Sequence, residues 1–275
     1  MITYIPDGTE EQAAISRTTH LAISAHQDDI EFMAYAPIAE CFGAPDKWFG
    51  AIVVTDGAGS PRSGLYADYT DEQMKKVRIV EQKKAAMVGE YGFLAMLSHP
   101  SKEVKDAGNA KIVEELAGLI RKAKPRYLYT HNLADKHETH VATALRVIEA
   151  LRLLRPEERP EKVYGCEVWR DLDWLCDDEK VYLDCSPHPN LMRCLSAVFD
   201  SQIAGGKRYD LAAEGRRLAN ATFSASHACD TYSALNYAMD LTPLMDEKID
   251  IADYIAGFID RFKAQVEEDI DRFLS

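Results

Sequence analysis

Apolar residues follow two alternating rhythms along this chain. Short unbroken runs at 21–25 (LAISA), 48–55 (WFGAIVVT), 91–98 and 126–130 lack a helical period and predict buried strands. Between them lie stretches with apolar residues at helical spacing. Residues 111–124 carry Ile112, Leu116, Leu119 and Ile120 on one side, and residues 137–154 carry Val141, Leu145, Ile148, Leu151 and Leu154. Residues 70–91 open with Thr70 and, three positions later, Gln73, the pattern of a capping box. Val77, Val80, Lys84 and Val88 are expected near one face of that helix. Strand, helix, strand, helix to about residue 155 predicts an α/β fold: a Rossmann-like, mostly parallel sheet with helices on both faces.

The pattern beyond is coarser. Pro37 suits a helix start over 37–42, and the charged, proline-punctuated LRPEERPEK at 154–162 marks a subdomain boundary. Two more strands are expected over 162–170 and 180–185, then helices over 191–199, 209–222 and about 242–273. The segment 223–240 is rich in small and polar residues and reads as a loop near a site. We expect one domain over 1–275, with a core at 18–155 and a C-terminal region at 156–275 that completes the sheet and adds helices.

Composition narrows the partners. A formal net charge of −13 argues against nucleic acid and anionic membrane surfaces, which would repel the chain, and leaves a small-molecule substrate. The six cysteines form no CxxC pair and no regular spacing, so they predict buried thiols rather than a disulfide framework or a thiolate metal site. No stretch approaches the ~20 apolar residues that cross a bilayer, and the first residues have no signal-peptide pattern. A cytoplasmic protein is expected, and a homo-oligomer is compatible with the sequence.

Chemistry concentrates where the strands should end. The first strand runs into His26-Gln27-Asp28-Asp29, at the carboxyl edge where open α/β sheets bind ligands. His26 and Asp29, three apart on a turn, can share one metal while Asp28 stays free to move a proton. In DKHETH, at 135–140, His137 and His140 fall in the first turn of a helix facing the same rim. His140 would complete a His-Asp-His set with an open position for water, the pattern of a catalytic zinc site; Fe²⁺ suits the same donors. His137 would stand near the metal without binding it. His131 ends the strand before this helix and can line the pocket or support a ligand.

AHQDDIE at 25–31, with DKHETH and the βα alternation between them, resembles the PIG-L or LmbE-like deacetylases, whose pattern is Ala-His-Pro-Asp-Asp-x-Glu followed by His-Pro-Asp-His. The resemblance covers about residues 20–150 and implies removal of an acetyl group from N-acetylglucosaminyl compounds. It implies His26, Asp29 and His140 as zinc ligands, Asp28 as general base, and a protonated His137 as general acid or oxyanion stabiliser. It places Glu31 just behind the ligands, and Asp200-Ser201-Gln202 is similar to a short motif these enzymes carry before a late helix. The family also has an Arg-x-x-Glu on the long helix whose Arg faces the site, which makes Arg78, with Glu81, the first choice for anchoring substrate.

Three departures stand out. Gln27 replaces the family Pro, Thr139 replaces the Asp that orients the neighbouring His, and FMAYAP replaces a Gly-rich stretch. Asp135 is expected to supply the carboxylate that Thr139 lacks. In the loop DGAGSPRSG, Asp56 and Arg62 are the side chains expected to meet sugar hydroxyls or an anion, and His227 is a further candidate. Three other readings compete: a receiver-like phosphoacceptor built on the paired aspartates, a metal- or sugar-binding relative without turnover, and a hydrolase of another amide bond.

Overall fold

The structure is a computed structural model that describes residues 1–274. Its strands are β1 (Ile2–Tyr4), β2 (His20–Ser24), β3 (Phe49–Thr55), β4 (Phe93–His99), β5 (Tyr127–His131), β6 (Lys162–Cys166), β7 (Val181–Asp184) and β8 (Leu235–Asp240). They form one eight-stranded sheet in the order β1-β4-β3-β2-β5-β6-β8-β7. The neighbouring strands from β2 to β6 pair in parallel, while β1 and β8 pair antiparallel. The expected α/β fold, mostly parallel with helices on both faces, is the one observed.

The helices, in chain order, are α1 (Glu11–Ser16), α2 (Asp29–Met33), α3 (Tyr35–Cys41), α4 (Asp71–Val88), α5 (Ser101–Val104), α6 (Ala110–Ala123), α7 (Glu138–Arg152), α8 (Pro189–Ala197), α9 (Asp200–Ile203), α10 (Tyr209–Phe223) and α11 (Ile251–Leu274). Successive strand side chains point to opposite faces, so β2 divides its residues between two cores. Leu21 and Ile23 pack with Ile112, Leu116, Val147 and Leu151 of α6 and α7. Ala22 lies opposite, with Ile30, Ile38, Ala85 and Leu195 of α2, α3, α4 and α8. Burial on both faces is why the parallel strands read as unbroken apolar runs.

Several expectations need correction. Residues 223–240 are not all loop: Leu235–Asp240 is β8, inserted between β6 and β7. The stretch at 154–162 does not divide the sheet, because β5 and β6 pair across it and Glu158 is buried there, capping Arg155. The Pro37 helix begins two residues earlier, at Tyr35. α4 has the predicted Thr70/Gln73 capping box. Val80 and Lys84 face solvent, while Met74, Arg78, Glu81, Gln82, Ala85 and Ala86 are buried. Its polar side is the inner one.

Candidate functional site

The parallel strands β2, β3, β4, β5 and β6 all end at one edge of the sheet, and their following loops build a single cleft. After β2 the chain turns sharply through His26, Gln27 and Asp28 into α2. Asp28 takes a positive φ of 91°, a region non-glycine residues seldom enter, and its N–H donates to Gln82 Oε1 of α4. Gln27 fills the departure position and still ties the turn down: its Nε2 donates to the Thr55 carbonyl at the end of β3, and its own carbonyl accepts from Arg78. Gly57 is needed beside it, because a Cβ there would stand 2.5 Å from Gln27 Oε1.

Three side chains converge above this turn. Asp29 Oδ2 accepts from the His26 N–H at 2.7 Å and lies 3.1 Å from His26 Nδ1. From the start of α7, His140 Nε2 reaches within 3.3 Å of both Asp29 Oδ1 and His26 Nδ1. One atom from each of His26, Asp29 and His140 lies within 4.8 Å of the others, close enough to hold one metal ion. The donor chemistry fits a divalent cation: two ring nitrogens aim at one point beside a carboxylate, an arrangement otherwise tolerated only if a proton sits between them. His131, Asp135 and His140 satisfy the same spacing. In that second group His131 Nε2 already accepts the Ala25 N–H at 2.8 Å, and its ring stacks on His140 with centroids 3.9 Å apart. We therefore take His131 as a support for His140.

Charge in the cluster is unevenly shared. Burial opposes ionisation of Asp29, but His140 and His26 outweigh it and hold its pKa well below the carboxylate range. Burial likewise pulls His140 down, yet the Asp29 and Asp135 carboxylates raise it to about 9. Burial, with the neighbouring His140 and His26, lowers His137 to about 4. At that value His137 is neutral at pH 7 in this arrangement, where the sequence led us to expect a protonated ring. Asp135 differs too. Its Oδ1 accepts the His137 backbone N–H at 3.0 Å, while Oδ2 faces His140 Nδ1 at 3.4 Å and accepts the Trp169 N–H at 3.1 Å. Asp135 orients His140, not the ring of His137.

Asp28 lies beside the cluster and almost out of solvent, and burial raises its pKa well above the usual carboxylate value despite the Arg78 guanidinium 3.6 Å away. Arg78 is itself buried, donating to the Gln27 carbonyl and, at 2.9 Å, to Ser60 Oγ. It makes no ion pair with Glu81, which accepts instead from Ser201 N and Oγ at 2.7 Å each. Arg78 therefore positions Asp28 and the 56–63 loop more than it offers a free guanidinium. Glu31 sits deeper, bonded to Tyr91 and Gln82, and burial lifts it to about 7.

A cavity of about 320 Å³ opens over these residues, bounded by His26, Asp28, Asp29, Arg78 and His137 on its chemical side and by Ser60, Thr139, Trp169, Gln202 and Tyr209 opposite. Asp56 and Arg62 are not in its wall: Asp56 pairs with Lys75 at 3.2 Å, and Arg62 with Asp71 and the Ala58 carbonyl. His227 is exposed and outside the wall as well. Local pairing or loop placement keeps each of these three side chains out of the wall. Trp169, Tyr209 and Gln82 carried no signal in the sequence; only Gln202 was foreshadowed, by Asp200-Ser201-Gln202. A second cavity, of about 270 Å³, shares Phe32, Val168, Trp169 and Tyr209 with the first and adds Lys207, Arg208 and Arg216.

Fold and site together define an α/β protein whose cluster of imidazoles and carboxylates sits at the carboxyl edge of a mostly parallel sheet. Residues 21–151 match the sequence model of the PIG-L family, described as GlcNAc-PI de-N-acetylase. Among solved structures it is similar to a conserved protein from Thermus thermophilus (17% identity, 82% of this chain and 94% of that one, TM-score 0.62). It is similar also to the 4-carboxy-2-hydroxymuconate hydratase GalB from Pseudomonas putida (16% identity, 82% and 96%, TM-score 0.60). A third is the N,N'-diacetylchitobiose deacetylase from Pyrococcus horikoshii (14% identity, 80% and 83%, TM-score 0.58). At these identities the structures establish the fold alone. No curated protein matches the chain.

Proposed function

We propose that this protein is a metal-dependent hydrolase that removes an acetyl group from an N-acetylated sugar of the N-acetylglucosaminyl type. The observation that carries the proposal is the convergence of His26, Asp29 and His140 within 4.8 Å, with Asp28 beside them at the floor of a sugar-sized cavity. The family match over 21–151 supports amide deacetylation, and a sugar acetamide is the substrate that the description of that family names.

His26, Asp29 and His140 would hold Zn²⁺ or Fe²⁺, which supplies Lewis-acid polarisation and a water acidified to about pKa 7. Asp28 takes the proton of the attacking water as that water adds to the acetamide carbonyl, and Arg78, 3.6 Å away, aims the carboxylate and opposes the burial that raises its pKa. The neutral ring of His137 donates a hydrogen bond to the carbonyl oxygen as it gains charge. The C–N bond then breaks, and the proton held by Asp28 passes to the leaving nitrogen, giving acetate and a free amine. Trp169 and Phe32 offer apolar faces to the sugar ring, and Ser60, Thr139, Gln202 and Tyr209 offer partners for its hydroxyls. The adjoining cavity gives the aglycone a place, with Lys207 and Arg216 able to meet an anionic one. The single domain over 1–275 and a cytoplasmic setting belong to the same reading.

The test is acetate release from N-acetylglucosamine, N,N'-diacetylchitobiose and N-acetylglucosaminyl glycosides, with and without chelator. Chelator-sensitive release from at least one supports the proposal. No acetate from any of them by the metal-loaded protein would refute it.

A further inference from the structure

α11 leaves the body of the protein midway along its length. Ile255 and Phe258 are buried in the core, Phe262 touches Trp174 with ring centroids 6.3 Å apart, and Arg261 pairs with Asp178 and Glu179. From Ile259 to Leu274 every residue is exposed. These 16 positions span about 24 Å of solvent-exposed helix.

The exposed stretch is not polar all round. Ile259, Phe262, Val266, Ile270 and Phe273 are 37–83% exposed, and at 3.6 residues per turn they fall within an arc of about 80°. A contiguous apolar stripe of this kind, held in water on a formed helix, marks a contact surface. Its spacing is symmetric about Val266: the other four lie four and seven positions to either side. Turned end for end, the stripe matches itself. In an antiparallel pair Val266 meets Val266, Phe262 meets Ile270, and Ile259 meets Phe273.

The charges beside the stripe select the same arrangement. One flank carries Lys263 and Glu267, the other Gln265 and Asp269. A two-fold axis through Val266 brings each flank against its own copy running backwards, so Lys263 of one chain faces Glu267 of the other, offset by about 3 Å along the axis. Gln265 likewise faces Asp269. A parallel pair would instead set Glu267 against Asp269, two like charges. We infer that the protein forms a homodimer through an antiparallel pairing of α11 centred on Val266. The inference is independent of the catalytic reading. Two such helices alone would be short for a stable coil, but here each is already ordered by its anchorage at Ile255 and Phe258.

The experiment is sedimentation velocity of the full chain from about 1 to 200 µM, with circular dichroism of each variant to verify folding. The wild type is expected to dimerise reversibly, and Val266→Glu to remain monomeric throughout. Lys263→Glu and Glu267→Lys, each alone, set like charges across the interface and should weaken the dimer at least about tenfold. Mixed in equal amounts, these two variants regain opposite charges in every contact and should associate within about threefold of the wild type, as a heterodimer. A purely local effect on helix stability would not be restored by mixing. The inference is overturned if the wild type stays monomeric, if Val266→Glu leaves the dimer intact, or if the mixture stays monomeric.

Discussion

His26 Nδ1 and His140 Nε2 stand 3.3 Å apart although 114 positions separate them in the chain. Asp29 bridges the two, and the remaining functional features of the molecule are arranged around that meeting point. β2 and β5 are adjacent parallel strands, which brings the residues after β2 and the start of α7 to one rim. Cation binding, proton transfer and the supporting polar contacts can each be perturbed separately.

Asp28→Asn should retain the cation while losing at least about 100-fold in turnover, since the amide cannot accept the proton of the attacking water. Asparagine tolerates the unusual backbone at this position almost as well as aspartate does. Metal content by plasma mass spectrometry and initial rates on the same preparation provide the check, and full activity in this variant would remove Asp28 from its role.

Arg78→Lys preserves the charge but not the fork that holds the Gln27 carbonyl and Ser60 Oγ together. The expected result is a fall in kcat of about 10- to 100-fold with unchanged metal content, because Asp28 and the 56–63 loop lose their alignment. Equal loss of metal and rate would instead mean that Arg78 supports the ligands themselves.

His140 gives the pH dependence. Its pKa is raised from 6.5 to about 9 by Asp29 and Asp135 against the opposing effect of burial. In metal-stripped protein the raised value stabilises the fold fully below about pH 6.5, and that contribution is lost as pH rises through about 9. Cation binding has the opposite sign, because the ring must give up its proton. Affinity should rise about tenfold per pH unit up to about 9 and then level, with close to one proton released per ion. Calorimetry in buffers of different ionisation enthalpy measures that proton directly; a binding constant flat from pH 6 to 9 would contradict the assignment.

Glu167 ties the far side of the site together. It is buried and accepts from Asn220, Asn236, the Tyr237 N–H and the Leu172 N–H, while Asn236 Oδ1 accepts from Arg217, which also caps the Glu31 and Phe32 carbonyls at the end of α2. Glu167→Ala should cost about 2–4 kcal/mol by leaving these buried donors without an acceptor. Urea denaturation reads the loss; a change under about 0.5 kcal/mol would show that the network contributes no stability.

The sequence reveals those features of the structure that depend on short-range pattern. His26 and Asp29 on one turn, His140 at a helix start, the apolar runs of the parallel strands and the Thr70/Gln73 cap all declare themselves within a few residues. Features that depend on distant partners do not. The inner face of α4 was hidden because Arg78, Glu81 and Gln82 look solvated until Gln27, Ser201 and Glu31 are set against them. β1, only three residues long, and β8, in a stretch of small and polar residues, are strands because neighbours pair with them. Asp56 and Arg62 lay in the right loop, but Lys75 and Asp71 draw them out of the cavity.

The most direct measurement is anomalous diffraction from crystals of the metal-loaded protein and of its His140→Ala variant. The account predicts one ion within bonding distance of His26 Nδ1, the Asp29 carboxylate and His140 Nε2 in the first, and little or none in the second. An ion bound elsewhere, or undiminished occupancy after loss of the imidazole, would contradict it.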